Sequence, residues 1–209
     1  MNTFVEIPTN DQSIHTRKLV LGMGINDADY ITQPTVDGKQ ISCPFYQRWQ
    51  GMITRAYSPR YKREKPTYEG VTVCKEWLTF SNFKRWMEKQ DWEGKELDKD
   101  IIISGNKKYS PESCRFVSLK LNRLLSTCAA RRGNLPQGVH FNTNRGKYKV
   151  MCNVDGKARF LGHFTSVKMA SLVYRRFKAN LISEIAFEQT DEQIERGLML
   201  HAGLILNDF

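Results

Sequence analysis

"GVHFNTNRGKYKVMCNVDGKARFLGHFTSVKMASLVYRRFKANL", residues 138–181, decides the fold of this chain. "GVHFN", "KYKVMCNV" and "KARFLG" alternate apolar and polar residues, the two-residue period of a strand with one face buried. "TNRG" and "DG" punctuate them as turns, and Asp-Gly suits the positive φ values of a tight hairpin. "SVKMASLVYRRFKANL" then changes to a helical period. It begins at Ser166, a good N-cap residue type, and sets Val167, Ala170, Tyr174, Phe177 and Leu181 along one face. The expectation is three antiparallel strands packed on one helix, within an α+β chain.

Alternation also sorts the faces. In 147–154, Tyr148, Val150, Cys152 and Val154 are expected to face the helix, with Lys147, Lys149, Met151 and Asn153 facing away. Val139 and Phe141 face in, His140 and Asn142 out. In the third strand Ala158 and Phe160 are expected in, Lys157 and Arg159 out, with Arg145 at a turn. The outer face would then be a cationic sheet, and a two- or three-stranded ribbon fits the DNA major groove.

The charge pattern agrees. The 209 residues carry a formal charge of +10, but residues 131–180 hold eleven basic residues and a single acid, while 1–40 and 181–209 are net acidic. A positive patch focused between acidic segments points to a polyanion, most simply nucleic acid.

Upstream lies a second decisive stretch, "LDKDIIISGNKKYSPESCRFVSLKLN", residues 97–122. It reads as strand, polar loop with Pro, strand, helix, and Ser118 is placed to cap that helix. Before it, "CPFYQRWQGMITRAY" (43–57) spaces Tyr46, Trp49, Ile53 and Ala56 as a helix. "SPRYKREKP" (58–66) reads as a basic loop, "VTVCKEW" (71–77) as a strand, and "TFSNFKRWMEKQ" (79–90) as a helix with Phe80, Phe83, Trp86 and Met87 toward a core. Residues 1–40 show little periodicity; "KLVLGMG" is strand-like, and "VDGK" at 36–39 is a hairpin turn. "TCAARRGNLPQ" (127–137) has the composition of a linker. "TDEQIERGLMLHAGL" (190–204) opens with Thr190 and Gln193 as a capping box for a terminal helix.

Two family resemblances follow from these residues. The framework "GV…GKY…GK…LG.F.S…A…Y" of 138–181 resembles the APETALA-type domain of plant ethylene-response transcription factors. In that family the sheet lies in the major groove, so the resemblance implies DNA contacts from His140, Asn142, Arg145, Lys147, Lys149, Lys157 and Arg159. Residues 43–126 resemble phage and prophage HNH proteins that carry such a domain, through "YQRWQGMITRAY", "YEGVTVCKEWLTFSNFKRWM", "LDKDI", "GNKKYSPESCRFV" and "LN". Those proteins look like free-standing homing endonucleases. The implied organisation is an N-terminal extension (1–40), an HNH-like ββα-metal nuclease domain (41–130), an APETALA-type domain (131–185) and a C-terminal helix (186–209).

An HNH site holds one divalent ion at the scissile phosphate while a base activates water. By position in the family motif, Asp98 matches the aspartate ligand and Asn122 the ligand on the helix, with Mg²⁺ or Mn²⁺ implied if the site is active. Lys99 stands where the base histidine belongs. Ser113 stands near the asparagine that orients the base, and Asn106 is a possible substitute for it. A free lysine, with a pKa near ~10.4, is protonated at neutral pH and suits a phosphate clamp better than a base. Losing a general base costs on the order of 10²–10⁴ in rate. The expectation is therefore a metal-dependent HNH DNA endonuclease with altered base chemistry. The alternative is an inactive DNA-binding regulator or host-takeover protein derived from one.

Other classes find little support. No apolar run is long enough to span a membrane, and no secretion signal is expected from "MNTFVEIPTNDQ". A bacterial host cytoplasm follows as the expected compartment. The five cysteines (Cys43, Cys74, Cys114, Cys128, Cys152) are scattered, so reduced thiols are expected. Without closely spaced cysteine pairs a structural zinc is not expected, although Cys74 and Cys114 are candidates to approach each other. Double-stranded DNA is the expected partner, with no membrane and no small-molecule substrate.

Overall fold

The computed structural model describes residues 4–126 and 134–207. Cys128 and most of the 127–137 linker lie outside them. The chain is mixed α+β and divides into two compact units: 1–100 with 105–117, and 101–104 with 118–209.

The first unit is built on aromatic burial. Helix α1 (Asp11–His15) is capped by the Asn10 side chain. "KLVLGMG" forms no strand; it folds into a tight turn in which Val20 and Gly24 bridge each other. β1 (Thr35–Val36) and β2 (Lys39–Gln40) make the hairpin expected at Asp37-Gly38, both residues having positive φ. α2 (Pro44–Tyr57) starts with Pro at its first turn, where the missing N–H costs nothing, and buries Tyr46, Trp49, Met52, Ile53 and Ala56. The basic segment after it is no open loop. Ser58 accepts from the Tyr61 N–H, Pro59 presets the first turn, and α3 (Pro59–Glu64) forms.

β3 is only Thr72–Val73, paired in parallel with β5 (Lys108–Tyr109), and a 3-10 turn at Glu76–Leu78 takes over the rest of the expected strand. α4 (Phe80–Met87) buries Phe80, Phe83 and Met87. The core joins these to Trp49 and Trp77, both fully buried, and the Trp49 indole N–H donates to the Trp77 carbonyl (2.7 Å). β4 (Lys95–Asp98) pairs with β6 (Arg115–Ser118), so the strand–loop–strand order read in 97–118 is present.

The second unit opens with α5 (Leu119–Leu125), whose cap is Ser118 as expected, accepting from the Leu121 N–H. β7 (Val139–Asn142), β8 (Lys147–Val154) and β9 (Lys157–Phe164) form one antiparallel sheet in sequence order. α6 (Val167–Phe187), capped by Ser166, covers one face with Ala170 and Tyr174 packed on Val139, Val150 and Cys152. The distal part of α6 packs on α7 (Glu192–Asn207). The cap of α7 is Asp191, whose carboxylate accepts from the Gln193 and Ile194 N–H groups; Thr190 is not used, because Asp191 sits one residue closer to the orphan amides. Within this unit Gly197 of α7 lies against the Ile101 backbone, where any Cβ would strike the carbonyl oxygen.

One expectation about the sheet is overturned. Lys157 pairs with Val154 and Arg159 with Cys152, so both lie on the helix side, and the Arg159 guanidinium sits 5.1 Å from the Phe177 ring centre of α6. Ala158 and Phe160 pair with Asn153 and Met151 and face outward, Phe160 being 53% exposed. Asp155-Gly156 is a two-residue turn, and such a turn places its flanking residues opposite each other on one face. The parity is reset at Leu161, an extra residue in β9, beyond which Gly162 and Phe164 oppose Val150 and Tyr148 on the core side. Phe141 shares that side with Tyr148, as expected, but remains half exposed with its ring edge-on to Tyr148.

Candidate functional site

Two places carry chemistry. The first is the outer face of the β7–β9 sheet. Register puts His140, Lys149 and His163 in one row and Asn142 and Lys147 in the next. Arg145 lies in the β7–β8 turn, which the Asn142 side chain closes by accepting from the Arg145 N–H (3.2 Å). Five of the seven expected contact residues, His140, Asn142, Arg145, Lys147 and Lys149, therefore share a face or its rim; Lys157 and Arg159 do not. Among the described residues of β7, β8 and β9 no carboxylate lies on this face. Asp155, the single acid of 131–180, sits at the β8–β9 turn and pairs with Lys120 (2.6 Å). Met151 lies on this face as expected, while the sequence reading missed Phe160 and His163 as members of it; the hairpin rule applied at Asp155-Gly156 would have found the first.

The second place is the loop between β4 and β6. Lys99, Asn106 and Ser113 do come together there, and all three hold the loop. Lys99 is 6% exposed, and its ammonium donates to the Asp100 carboxylate and to the Asn106 carbonyl, each at 2.6 Å. Asn106 donates from its side-chain amide to the Lys99 and Lys108 carbonyls and accepts from the Lys108 N–H. The Ser113 hydroxyl donates to the Lys108 carbonyl (2.9 Å) and contacts the Ser110 hydroxyl. Lysine is demanded here by reach: only a long donor satisfies a carboxylate and a carbonyl from a buried start. Lys99→Met is accordingly expected to lower stability by ~1–3 kcal/mol, because it removes the buried donor that ties the Asp100 carboxylate to the Asn106 carbonyl. A denaturant midpoint that falls with an unchanged slope would show it, and an unmoved midpoint would contradict it.

Asp98 ends β4, with one carboxylate oxygen accepting from the Asp100 N–H (2.6 Å). Asn122 lies midway along α5, in the second unit. Among the described residues no group of three or more His, Cys, Asp or Glu side chains converges as a metal site. The Asp98 carboxylate nevertheless offers a hard oxygen donor, and Mg²⁺ habitually takes one or two protein oxygens with water and phosphate completing its shell.

Around this loop gather groups from elements distant in the chain. Arg55 of α2 donates from Nε to the Tyr109 hydroxyl (2.8 Å) and pairs with no carboxylate among the described residues. Burial pushes the Tyr68 phenol up; the Arg55 guanidinium opposes this, while Tyr61, Asp100 and Asp98 add to the rise. Positions 55, 68 and 98 are too far apart in sequence for periodicity to link them. Cys43, Cys74, Cys114 and Cys152 are free and buried. Burial pushes the Cys114 thiol up to about 12, so it is a packed, inert group.

Comparison with protein-family models, with curated proteins and with solved structures finds no match. Among the described residues no helix is long and apolar enough to cross a membrane.

Proposed function

We propose that this chain binds double-stranded DNA through the outer face of its three-stranded sheet, in the manner of APETALA-type domains. One observation carries the reading: Arg145, Lys147, Lys149 and His140 share a face or its rim on which the described residues of the three strands place no carboxylate. On most protein surfaces cations are interspersed with acids; a one-sign face matches a phosphate array. We further propose that the β4–loop–β6–α5 run is an HNH-type ββα segment, as in phage homing endonucleases. Asp98, at the end of β4, would be the protein ligand of a Mg²⁺ or Mn²⁺ ion, which would neutralise charge at the scissile phosphate. Lys99, Asn106 and Ser113 would support the loop that presents Asp98. Their mutual hydrogen bonds favour a second reading for this segment, a DNA-binding regulator that does not cut, since Lys99 rather than histidine follows Asp98 in the chain.

The two readings separate in one experiment. The full chain is titrated with duplex DNA at several salt concentrations and then incubated with supercoiled plasmid and Mg²⁺ or Mn²⁺. Lys147→Gln/Lys149→Gln is expected to weaken binding and to reduce the slope of log K against log salt by up to about 2. An unchanged slope would remove the sheet from the interface. Nicking that is lost in Asp98→Ala, with DNA affinity retained, supports the endonuclease. No nicking by the unmodified chain supports the regulator.

A further inference from the structure

The outer face is not uniformly cationic. Met151 and Phe160 stand directly opposite each other on β8 and β9, and Phe160 is 53% exposed. The His163 ring meets Phe160 nearly edge-on (centroids 5.0 Å apart, 80° between planes) and holds it in place. Successive outward residues of a strand lie ~6.6–6.8 Å apart. Read along β8, the face therefore runs Lys147, Lys149, Met151, Asn153: two cations, an apolar pair with Phe160, then an amide. Among the described residues of the three strands no acid lies on this side, and the ring stands half exposed on it.

Resting on the DNA-binding reading, we propose that Met151 and Phe160 recognise the C5-methyl group of thymine in the major groove. The reasoning is by elimination among the groups DNA presents. Phosphates and sugars reward the flanking lysines and Arg145, and an apolar ring gains nothing from them. On the base edges, the major groove offers donors and acceptors and one apolar group, the thymine methyl. Lys147 and Lys149 fix the sheet on the backbone, while the apolar pair, one to two residues further along the same strand face, meets the bases. Asn153, beyond it, has the donor and acceptor pair that adenine's edge accepts, so a T·A step matches both residue types.

The test uses the full chain and two duplexes of equal length, alternating dA·dT and the same sequence with deoxyuridine replacing thymidine. These carry identical phosphate charge and differ only in the methyl groups. The chain is expected to bind the thymine duplex about 4-fold more tightly per methyl contacted, the worth of burying one such carbon. Phe160→Ala, at an exposed position that the core does not need, is expected to lower the ratio of thymine-duplex to deoxyuridine-duplex affinity, and an unchanged ratio overturns the assignment. Lys149→Gln is expected to weaken both duplexes alike. Equal binding of the two duplexes by the unmodified chain overturns the thymine assignment and leaves DNA binding standing. Failure to bind either duplex overturns the DNA-binding reading itself. A dimer that Phe160→Ala converts to monomer gives the patch to a second copy of the chain, and also overturns the assignment.

Discussion

Gly138→Ala is expected to dismantle the three-stranded sheet and abolish DNA binding, although it adds a single methyl group. Gly138 has φ of +74°, the left-handed region in which a Cβ costs ~1–2 kcal/mol. The space is also taken. An added Cβ would run into the Tyr174 ring and stand 2.6 Å from the Met151 carbonyl oxygen, which itself accepts no slack because β8 is held on both sides. Tyr174 is buried between Val139, Val150 and Cys152, so its ring has nowhere to move. Overpacking of this kind costs a further ~1–3 kcal/mol. Together the two terms rival the whole stability of a small domain, which is of order 5 kcal/mol. Amide-exchange protection across 139–164 should fall to that of an open chain. Retained protection would mean that the close approach at Gly138 does not exist.

Trp49→Ala is the counterpart in the first unit. The indole is fully buried between Tyr46 (5.5 Å) and Phe80 (5.6 Å), and its N–H satisfies the Trp77 carbonyl. Truncation leaves a cavity worth ~3–5 kcal/mol and strands a buried carbonyl at ~1–3 kcal/mol more. The expected result is a first unit that does not fold at room temperature, seen as exposed tryptophan emission from Trp77, Trp86 and Trp92. Trp49→Phe keeps most of the ring contact and loses the bond, so a smaller, measurable shift of the unfolding midpoint is expected. If Trp49→Ala unfolds cooperatively near the parent midpoint, the aromatic cluster is not what holds this unit.

Much of this architecture is legible in the residues, where one local rule meets no competitor. Ser118 and Ser166 cap helices because a hydroxyl precedes an apolar helical period. Asp37-Gly38 turns a hairpin because both residues accept positive φ. Legibility fails where two local rules compete or where the determinant is distant. At 58–66 basic composition suggests a loop, yet Ser58-Pro59 is a helix start, and the cap prevails. At 71–77 alternation suggests a full strand, but only Thr72 and Val73 find a partner, in β5, which the sequence does not announce. The candidate site follows the same division. The positions of Asp98 and Asn122 on strand end and helix are readable from motif order. The bonding of Lys99 is not, since its acceptor on Asn106, seven positions on, depends on how the intervening loop closes. Arg55, beside Tyr68 and Tyr109, arrives from a different element altogether.

The extra residue at Leu161 has a consequence for how this hairpin chooses its face. The same sequence admits a second pairing, in which Asp155, Gly156 and Lys157 form a three-residue loop and β9 continues without a bulge. Nothing beyond Gly162 would change, but residues 158–160 would turn over, sending Phe160 toward α6 and Arg159 toward solvent. One slip thus exchanges an apolar stripe for a cationic one. Asp155 and Gly156, with φ of +51° and +80°, select the first isomer from the far end of the hairpin. A two-residue turn that touches no ligand therefore acts as the selector of what the sheet displays.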